Sequence, residues 1–497
     1  MLVSWCLPLL GIVLPAAVAF YYVFRFGFNV PVYDEWNFMP TVGAFYQGGD
    51  WWPMVVEHYG EHRIVLPRLI ILYLSRITDL NLVVEEYLSV FFMTLTAVVC
   101  WLLLRRTEGC PRWAIVPIGW ILLSPAQFEN LLVGWQFQIP MMNFFAAAAI
   151  YLLSGERRWR GAPAAGCAAA ATFSFANGLI IWPAGCIALL ASERSTRLRT
   201  LAIWLGSAVV TAVAYRWGYH GFDRPPQGYL LTALHKPADA TRMFLALYGN
   251  NFGQGRIPTS LVAGGVLLAL TAAGAFLLWR AGLRRNDAPW LALWSFSTVS
   301  VFAVVLGRSF AWESMATPSR FLTVAIFIPV SLVVVLSRAG AVLWRRGLPT
   351  RALTATACLL LVGLAVRQGF LTARLGWEMG GAHRGMKEST LPCLLQYRTA
   401  PISCLRELYV ADGEFVRRNT AILERWHLGP FADAPPATGA AQPARAPVSP
   451  GSPPSGVDSM EGSLDFVGVR QPSGESASVR LGEKAIAEGW ALTETFE

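Results

Sequence analysis

Asp34 and Glu35 stand in the tract Val32-Tyr33-Asp34-Glu35-Trp36, just past an apolar run over 3–24. A second polar tract, Glu57-His58-Tyr59-Gly60-Glu61-His62-Arg63, follows. Two adjacent acids can divide roles, one facing a substrate hydroxyl while a neighbouring cation holds the other. A carboxylate partly desolvated against Trp36, Trp51 and Trp52 has a raised pKa, which suits it to general-base work near neutral pH. Asp34 and Glu35 are therefore the candidate catalytic residues. The alternative is an acidic helix N-terminus favoured by the helix dipole. His58-x-x-Glu61-His62 matches the H-x-x-E-H pattern, in which two histidines one helical turn apart hold zinc and the glutamate acts as base. Gly60 inside the pattern costs about 1 kcal/mol in a helix, and no downstream glutamate stands out as a third ligand. His58, Glu61 and His62 are candidate ligands of a divalent metal shared with Asp34. The reading preferred over a metal is that, with Arg63, they bind a phosphate or sugar, or brace the loop.

The elements that must position these groups are those of a membrane protein. The chain is 55% hydrophobic and 14% charged, with mean hydropathy +0.45, whereas a soluble domain carries about 25% charged residues. A charge at the centre of a span costs roughly 2.5–3.5 kcal/mol, so polar clusters belong at the membrane–water boundary. The net charge of +9 does not signal nucleic acid, because most arginines lie in short runs between apolar segments. Arg and Ala dominance looks like a high-GC bacterial genome, and the expected location is the bacterial inner (plasma) membrane. Ala17-Val18-Ala19 resembles a signal-peptidase site, but no Lys or Arg precedes the apolar run as a signal peptide requires. The first segment reads as a retained anchor.

Apolar runs recur at 87–104, 113–124, 139–153, 161–191, 200–215, 260–279, 290–306, 321–337 and 352–366. Five intervening loops hold sixteen arginines against four acids, Glu108, Glu156, Glu193 and Asp287, and the positive-inside rule assigns all five to the cytoplasm. The 161–191 run must then cross an even number of times. Its centre, Ser174-Phe175-Ala176-Asn177-Gly178, has turn chemistry, as two short helices or a re-entrant hairpin. The expected fold is an all-α polytopic membrane protein of about eleven helices, N-terminus cytoplasmic and C-terminus external. The first external loop carries interfacial helices, one of them over Ile64–Ile77. Residues 1–372 form the membrane domain and 373–431 an external cap. Residues 432–456 read as a Pro/Ala/Ser-rich linker, and 457–497 as the start of a small β domain. Cys393 and Cys404 both follow the last span, and are the one pair suited to a disulfide if that region is oxidising.

An Asp-Glu pair in a first external loop just beyond the first membrane helix, with interfacial helices after it, resembles the GT-C superfamily of integral-membrane glycosyltransferases. Protein O-mannosyltransferases and lipopolysaccharide-modifying transferases are members. The resemblance covers roughly 1–372. It implies a polyprenyl-phosphate-sugar donor, a lipid, glycan or protein acceptor, and a first-loop acid, here Asp34 with Glu35 beside it, that activates the acceptor or helps hold a metal. Such a donor needs cations at the interface, and guanidinium forks match phosphate oxygens. Arg308 in Gly307-Arg308-Ser309 and Arg320 in Ser319-Arg320-Phe321, together with Arg63, are the candidate donor-phosphate ligands. Planar amides and rings bind sugars, which makes Trp36, Gln136, Gln138 and Asn177 candidate sugar or acceptor contacts. A transporter or flippase of lipid-linked sugars is the competing class, with a metallopeptidase using His58, Glu61 and His62 behind it. A transporter places ionisable groups near the midplane of several spans. Here the polar groups gather on one face, which favours surface chemistry.

Overall fold

The computed structural model describes residues 6–155, 158–190, 194–219, 233–280, 287–344 and 348–432, and among them every regular element is a helix. The proposed linker and β domain over 433–497 lie outside the described residues. The chain is an all-α polytopic membrane protein. Eight helical segments among the described residues are long and apolar enough to span a bilayer. The 161–191 run supplies two shorter helices, and the 352–366 run lies within a helix of 48 residues.

The first span ends in α1 (Leu14–Phe26), and the loop after it holds α2 (Glu35–Gln47), α3 (Trp52–Val56) and α4 (Val65–Thr78). Asp79 and Leu80 then take left-handed backbone, φ 50° and 56°, and turn the chain through a corner. The Asn81 side chain accepts from the Val83 N–H and caps the second span, α5 (Leu82–Arg106). Next come α6 (Ile115–Leu122), the short α7 (Phe128–Leu132) and α8 (Gln138–Leu153). Helices α9 (Gly161–Thr172) and α10 (Ile181–Leu190) form the hairpin that the Asn-Gly turn predicts, joined by a tight segment through Asn177. Spans α11 (Arg194–Arg216), α13 (Ile257–Arg280) and α14 (Ala288–Arg308) follow, with α12 (Pro237–Gly249) between the first two. A one-turn helix α15 (Trp312–Met315) leads to α16 (Arg320–Val324) and α17 (Phe327–Trp344). The 321–337 run is thus two helices broken at Ala325 and Ile326, where the sequence suggests one.

The last long helix, α18 (Leu348–Leu395), runs unbroken through residue 372, so no gap in secondary structure marks the expected domain boundary. At 1.5 Å per residue it is about 70 Å long, more than twice the ~30 Å hydrocarbon core. Its C-terminal half therefore reaches the loops and joins α19 (Ile402–Arg406) and α20 (Gly413–Arg425). A disulfide joins Cys393 to Cys404. This cap shares one buried apolar core with the first loop, where Trp36, Phe38 and Val42 pack with Leu394, Leu408 and Val416.

The loops segregate into two faces. On one, Arg338 pairs with Asp287 at 3.0 Å and donates to the Glu108 carbonyl, while Trp290 Nε1 donates to Thr107 Oγ1. The arginine-rich loops around 105–112, 287 and 338 meet there. On the other face lie the first loop, the hairpin turn, residues 309–320 and the cap. The first span, ahead of α1, and α6 approach so closely that a Cβ at Gly119 would sit 1.5 Å from the Gly11 carbonyl oxygen, the small-residue packing expected within lipid. The 125–138 segment between the apolar runs 113–124 and 139–153 is packed inside the protein, with Gln127, Glu129 and Asn130 all buried.

Candidate active site

The two adjacent acids face different ways. Asp34 stands at the N-terminus of α2, half-buried, directly after Tyr33 at φ 52°. The Tyr33 N–H donates to the Leu408 carbonyl at 2.7 Å, which ties this corner to the cap. Glu35 folds back into the protein and is 2% exposed. Its oxygens accept from the backbone N–H of Val32 at 2.7 Å and of Trp135 at 3.3 Å. Burial lifts the Glu35 carboxyl above its usual range, while Lys387 and the N–H groups of Val32, Trp135 and Gly134 pull the other way. Glu35 thus fastens the first loop to the 134–135 turn, and of the two acids Asp34 alone keeps partial exposure.

Tyr59 lies close enough to Asp34 for the carboxylate charge to act on its hydroxyl. Burial, then the Asp34 charge, raises Tyr59 well above 10, so it stays a neutral donor. The Asn37 amide donates to the Tyr59 hydroxyl at 2.8 Å, and Tyr409 of the cap donates to Asn37 Oδ1 at 3.3 Å.

The H-x-x-E-H tract is a turn, not a helix. Tyr59 and His62 exchange backbone hydrogen bonds of 2.7 and 2.9 Å around Gly60, whose φ of 55° suits glycine. His58 and His62 therefore do not share a helical face, which corrects the metallopeptidase reading. His58 Nε2 sits 2.9 Å from the Tyr215 carbonyl. His62 Nδ1 accepts from the Ala176 N–H at 3.3 Å, and its ring stacks on Phe175 at 4.1 Å. Glu61 pairs with Arg308 at 2.8 Å and lies 3.5 Å from His62. Burial works to raise the Glu61 carboxyl, yet Arg308, followed by His62, outweighs it and holds it at about 2. Among the described residues no three His, Cys, Asp or Glu side chains converge as metal ligands. The set His58, Glu61 and His62 does not fit a metal as it is arranged, and no step is derived through one.

The arginines divide as well. Arg63 uses Nη1 on the carbonyls of Ala214 and Trp217, at 2.6 and 2.7 Å, and so clamps the loop to the end of α11. That is the loop-bracing alternative rather than phosphate binding. Arg308 and Arg320 remain at the first-loop face, each held by its own acid. The Arg320 guanidinium lies 3.4 Å from Glu129 Oε1, and its backbone N–H donates to Glu129 Oε2 at 2.7 Å. Both Glu129 and Arg320 act electrostatically on Tyr33, the residue next to Asp34. The candidate carboxylate and two anchored guanidinium groups thus share one face.

The sugar-contact candidates are less accessible than their residue types suggest. Trp36 is 0% exposed and is a core residue, so it offers no face for stacking. Gln138 is buried at the start of α8, and Asn177 is buried with its amide donating to the Ser300 carbonyl at 3.2 Å, pinning the hairpin turn to α14. Gln136 alone of the four keeps partial exposure.

Sequence reasoning missed Glu129, Tyr59, Asn37 and Tyr409. It also missed an ion pair in which the Lys387 ammonium, 0% exposed, donates to Glu86 Oε1 at 3.2 Å and to the carbonyls of Phe28 and Leu132 at 3.2 and 3.0 Å. Two signals were readable. Glu129 is the one acid in an amide-rich tract, and Lys387 is one of only three lysines in the chain. Tyr409 carries no local signal.

No protein-family profile matches the chain, and no curated protein matches it. Among the solved structures it is similar to the archaeal oligosaccharyltransferase AglB from Archaeoglobus fulgidus, in complex with an inhibitory peptide and a dolichol-phosphate. That similarity has 16% identity and a TM-score of 0.44 over 76% of this chain. The chain matches 56% of the length of that structure.

Proposed function

We propose that this protein is a membrane glycosyltransferase of the inverting, lipid-donor type, acting at the face formed by the first loop and the cap. The reading rests on one observation. A half-buried carboxylate, Asp34, and two guanidinium groups held by their own acids, Arg308 on Glu61 and Arg320 on Glu129, occur together on that face of a membrane-spanning bundle. Asp34 takes the proton of an acceptor hydroxyl as its oxygen attacks the anomeric carbon. The new bond joins acceptor oxygen to that carbon, and the bond from the carbon to the phosphate oxygen breaks. The bonding pair leaves with the lipid phosphate. Arg308 and Arg320 face the charge that develops there, and because their acids fix them beforehand, little reorganisation is needed at the moment of reaction. The acceptor is a lipid, glycan or protein hydroxyl, and the membrane is a bacterial inner membrane with this face external.

Incorporation of labelled sugar from polyprenyl-phosphate donors into membrane lipid, glycan and protein tests the reading, with wild type set against Asp34→Asn. A positioned general base contributes typically ~10²–10⁴-fold, so Asp34→Asn should lose transfer on that scale while inserting normally. Undiminished transfer by Asp34→Asn refutes the role of the first-loop acid.

A further inference from the structure

Arg308 ends α14 and Arg320 begins α16, yet one aromatic ring stands beside both. The centroid of the Phe321 ring lies 5.9 Å from the Arg308 guanidinium carbon and 5.3 Å from that of Arg320. Both distances fall within the ~6 Å over which a ring attracts a cation. Phe321 is 5% exposed and packs in the main apolar core. Two guanidinium groups gathered at one ring repel each other, and each is offset by its own acid, Glu61 for Arg308 and Glu129 for Arg320.

The ring owes its place to the turn that carries it. Helix α16 breaks from α17 at Ala325 and Ile326, both buried. A helix broken inside a membrane bundle frees carbonyls that lipid cannot satisfy, and three asparagines from separate segments supply the donors. Asn130 of α7 donates to the Arg320 carbonyl at 3.0 Å, Asn251 to that of Leu322 at 3.3 Å, and Asn143 of α8 to that of Thr323 at 2.6 Å. Thr323 Oγ1 accepts from the Asn130 amide at 2.5 Å and donates to Gln127 Oε1 at 2.6 Å. The Glu129 N–H donates to Ser319 Oγ at 3.0 Å. The amide-rich 127–130 tract thus grips the turn on which Arg320 and Phe321 sit.

We infer that Phe321 is a positioning residue that couples Arg308 and Arg320 into one clamp for a single phosphate monoester head. The inference rests on the reading of this face as a lipid-phosphate donor site. A free-swinging arginine gives up side-chain entropy when it binds an anion. Two arginines placed beforehand against one gripped ring have already given it up, so an anion between them meets both guanidinium forks together. An aliphatic side chain at 321 keeps the core apolar but offers neither arginine a π face, whereas tyrosine keeps the ring.

Calorimetric titration of the purified full chain in detergent with farnesyl phosphate, a short polyprenyl phosphate, tests the clamp, with farnesol as the uncharged reference. Wild type should bind farnesyl phosphate at least about tenfold more tightly than farnesol, the worth of one hydrogen bond to a charged group. Loss of the cation–π contacts in Phe321→Leu should weaken farnesyl phosphate binding about two- to fivefold and leave farnesol binding unchanged. Phe321→Tyr should keep wild-type affinity, a rescue that a merely space-filling role would not require of the ring. Arg308→Gln should weaken farnesyl phosphate about tenfold, and its combination with Phe321→Leu should lose less than the product of the two single losses, because either change alone already opens the clamp. Equal affinities in wild type and Phe321→Leu, equal losses in Phe321→Leu and Phe321→Tyr, or fully multiplicative losses with Arg308→Gln overturn the clamp. Should Phe321→Leu fail to fold, Arg308→Gln decides, since unchanged farnesyl phosphate binding in that variant overturns a clamp that needs both cations. A wild type that prefers farnesol refutes the donor reading itself, whereas a phosphate preference indifferent to residue 321 refutes the clamp alone.

Discussion

Exchanging each of the two adjacent acids separately distinguishes chemistry from anchoring. In Glu35→Gln, the new amide oxygen can keep the 2.7 Å bond from Val32, but its NH₂ then faces the Trp135 N–H, donor against donor. One charge-assisted hydrogen bond is lost, worth about 1.5–3 kcal/mol. A neutral amide is easier to bury than a carboxylate, which offsets part of that loss and leaves a net destabilisation of about 1–2 kcal/mol. That is a small share of the ~5–15 kcal/mol of a folded domain, so the variant should fold, melt earlier and retain measurable transfer. Asp34→Asn should do the opposite, melting within about 0.5 kcal/mol of wild type while losing ~10²–10⁴-fold in turnover. Melting of detergent-purified protein and labelled-sugar transfer, measured on the same preparations, give both coordinates. An Asp34→Asn enzyme with full turnover, beside a Glu35→Gln enzyme that melts normally and is dead, would invert the assignment and refute the reasoning.

Three further outcomes are expected. Lys387→Met should cost about 3–5 kcal/mol by leaving Glu86 buried without its cation; adding Glu86→Gln should restore most of it, as read by thermal melting of the single and double variants. The Glu61 carboxyl is held below its usual range, so its contribution to stability is present above pH 4.5 and lost as pH falls toward about 2. Wild type should therefore lose more stability across that window than Glu61→Gln, and at neutral pH the partly exposed pair should be worth no more than about 1 kcal/mol. In a background without the free native cysteines, a cysteine at Glu108 should be protected from an impermeant thiol reagent in intact cells and one at Ser389 labelled, both side chains being exposed on opposite faces; the reverse pattern would put the first-loop face inside.

The sequence by itself determined the helical architecture and the segregation of loops into two faces. Lipid offers no partner to a backbone N–H or C=O, so an apolar run must satisfy itself as helix. Short basic loops declare their side by charge alone. The Asn-Gly turn within 161–191 was equally local, because a tight reversal is set by the residues that make it. The neighbours of Asp34 were another matter. Tyr409 is far from Asn37 along the chain, and only the folding of the cap onto the first loop brings their side chains within 3.3 Å. Asp34 and Glu35 are indistinguishable as a dipeptide, and what separates them is which side of the Tyr33 corner faces the 134–135 turn. The H-x-x-E-H pattern misleads for the same reason. It presumes a helix, whereas the bond of Arg63 to the Ala214 carbonyl and of the Tyr215 hydroxyl to the Glu61 carbonyl, both at the end of α11, together with the left-handed Gly60, fix a turn. Trp36 reads as a sugar platform only until the cap covers it. Residue type and spacing thus set what each segment can be. Burial and partner choice, which depend on segments distant in the chain, decided which of the candidate groups face the site.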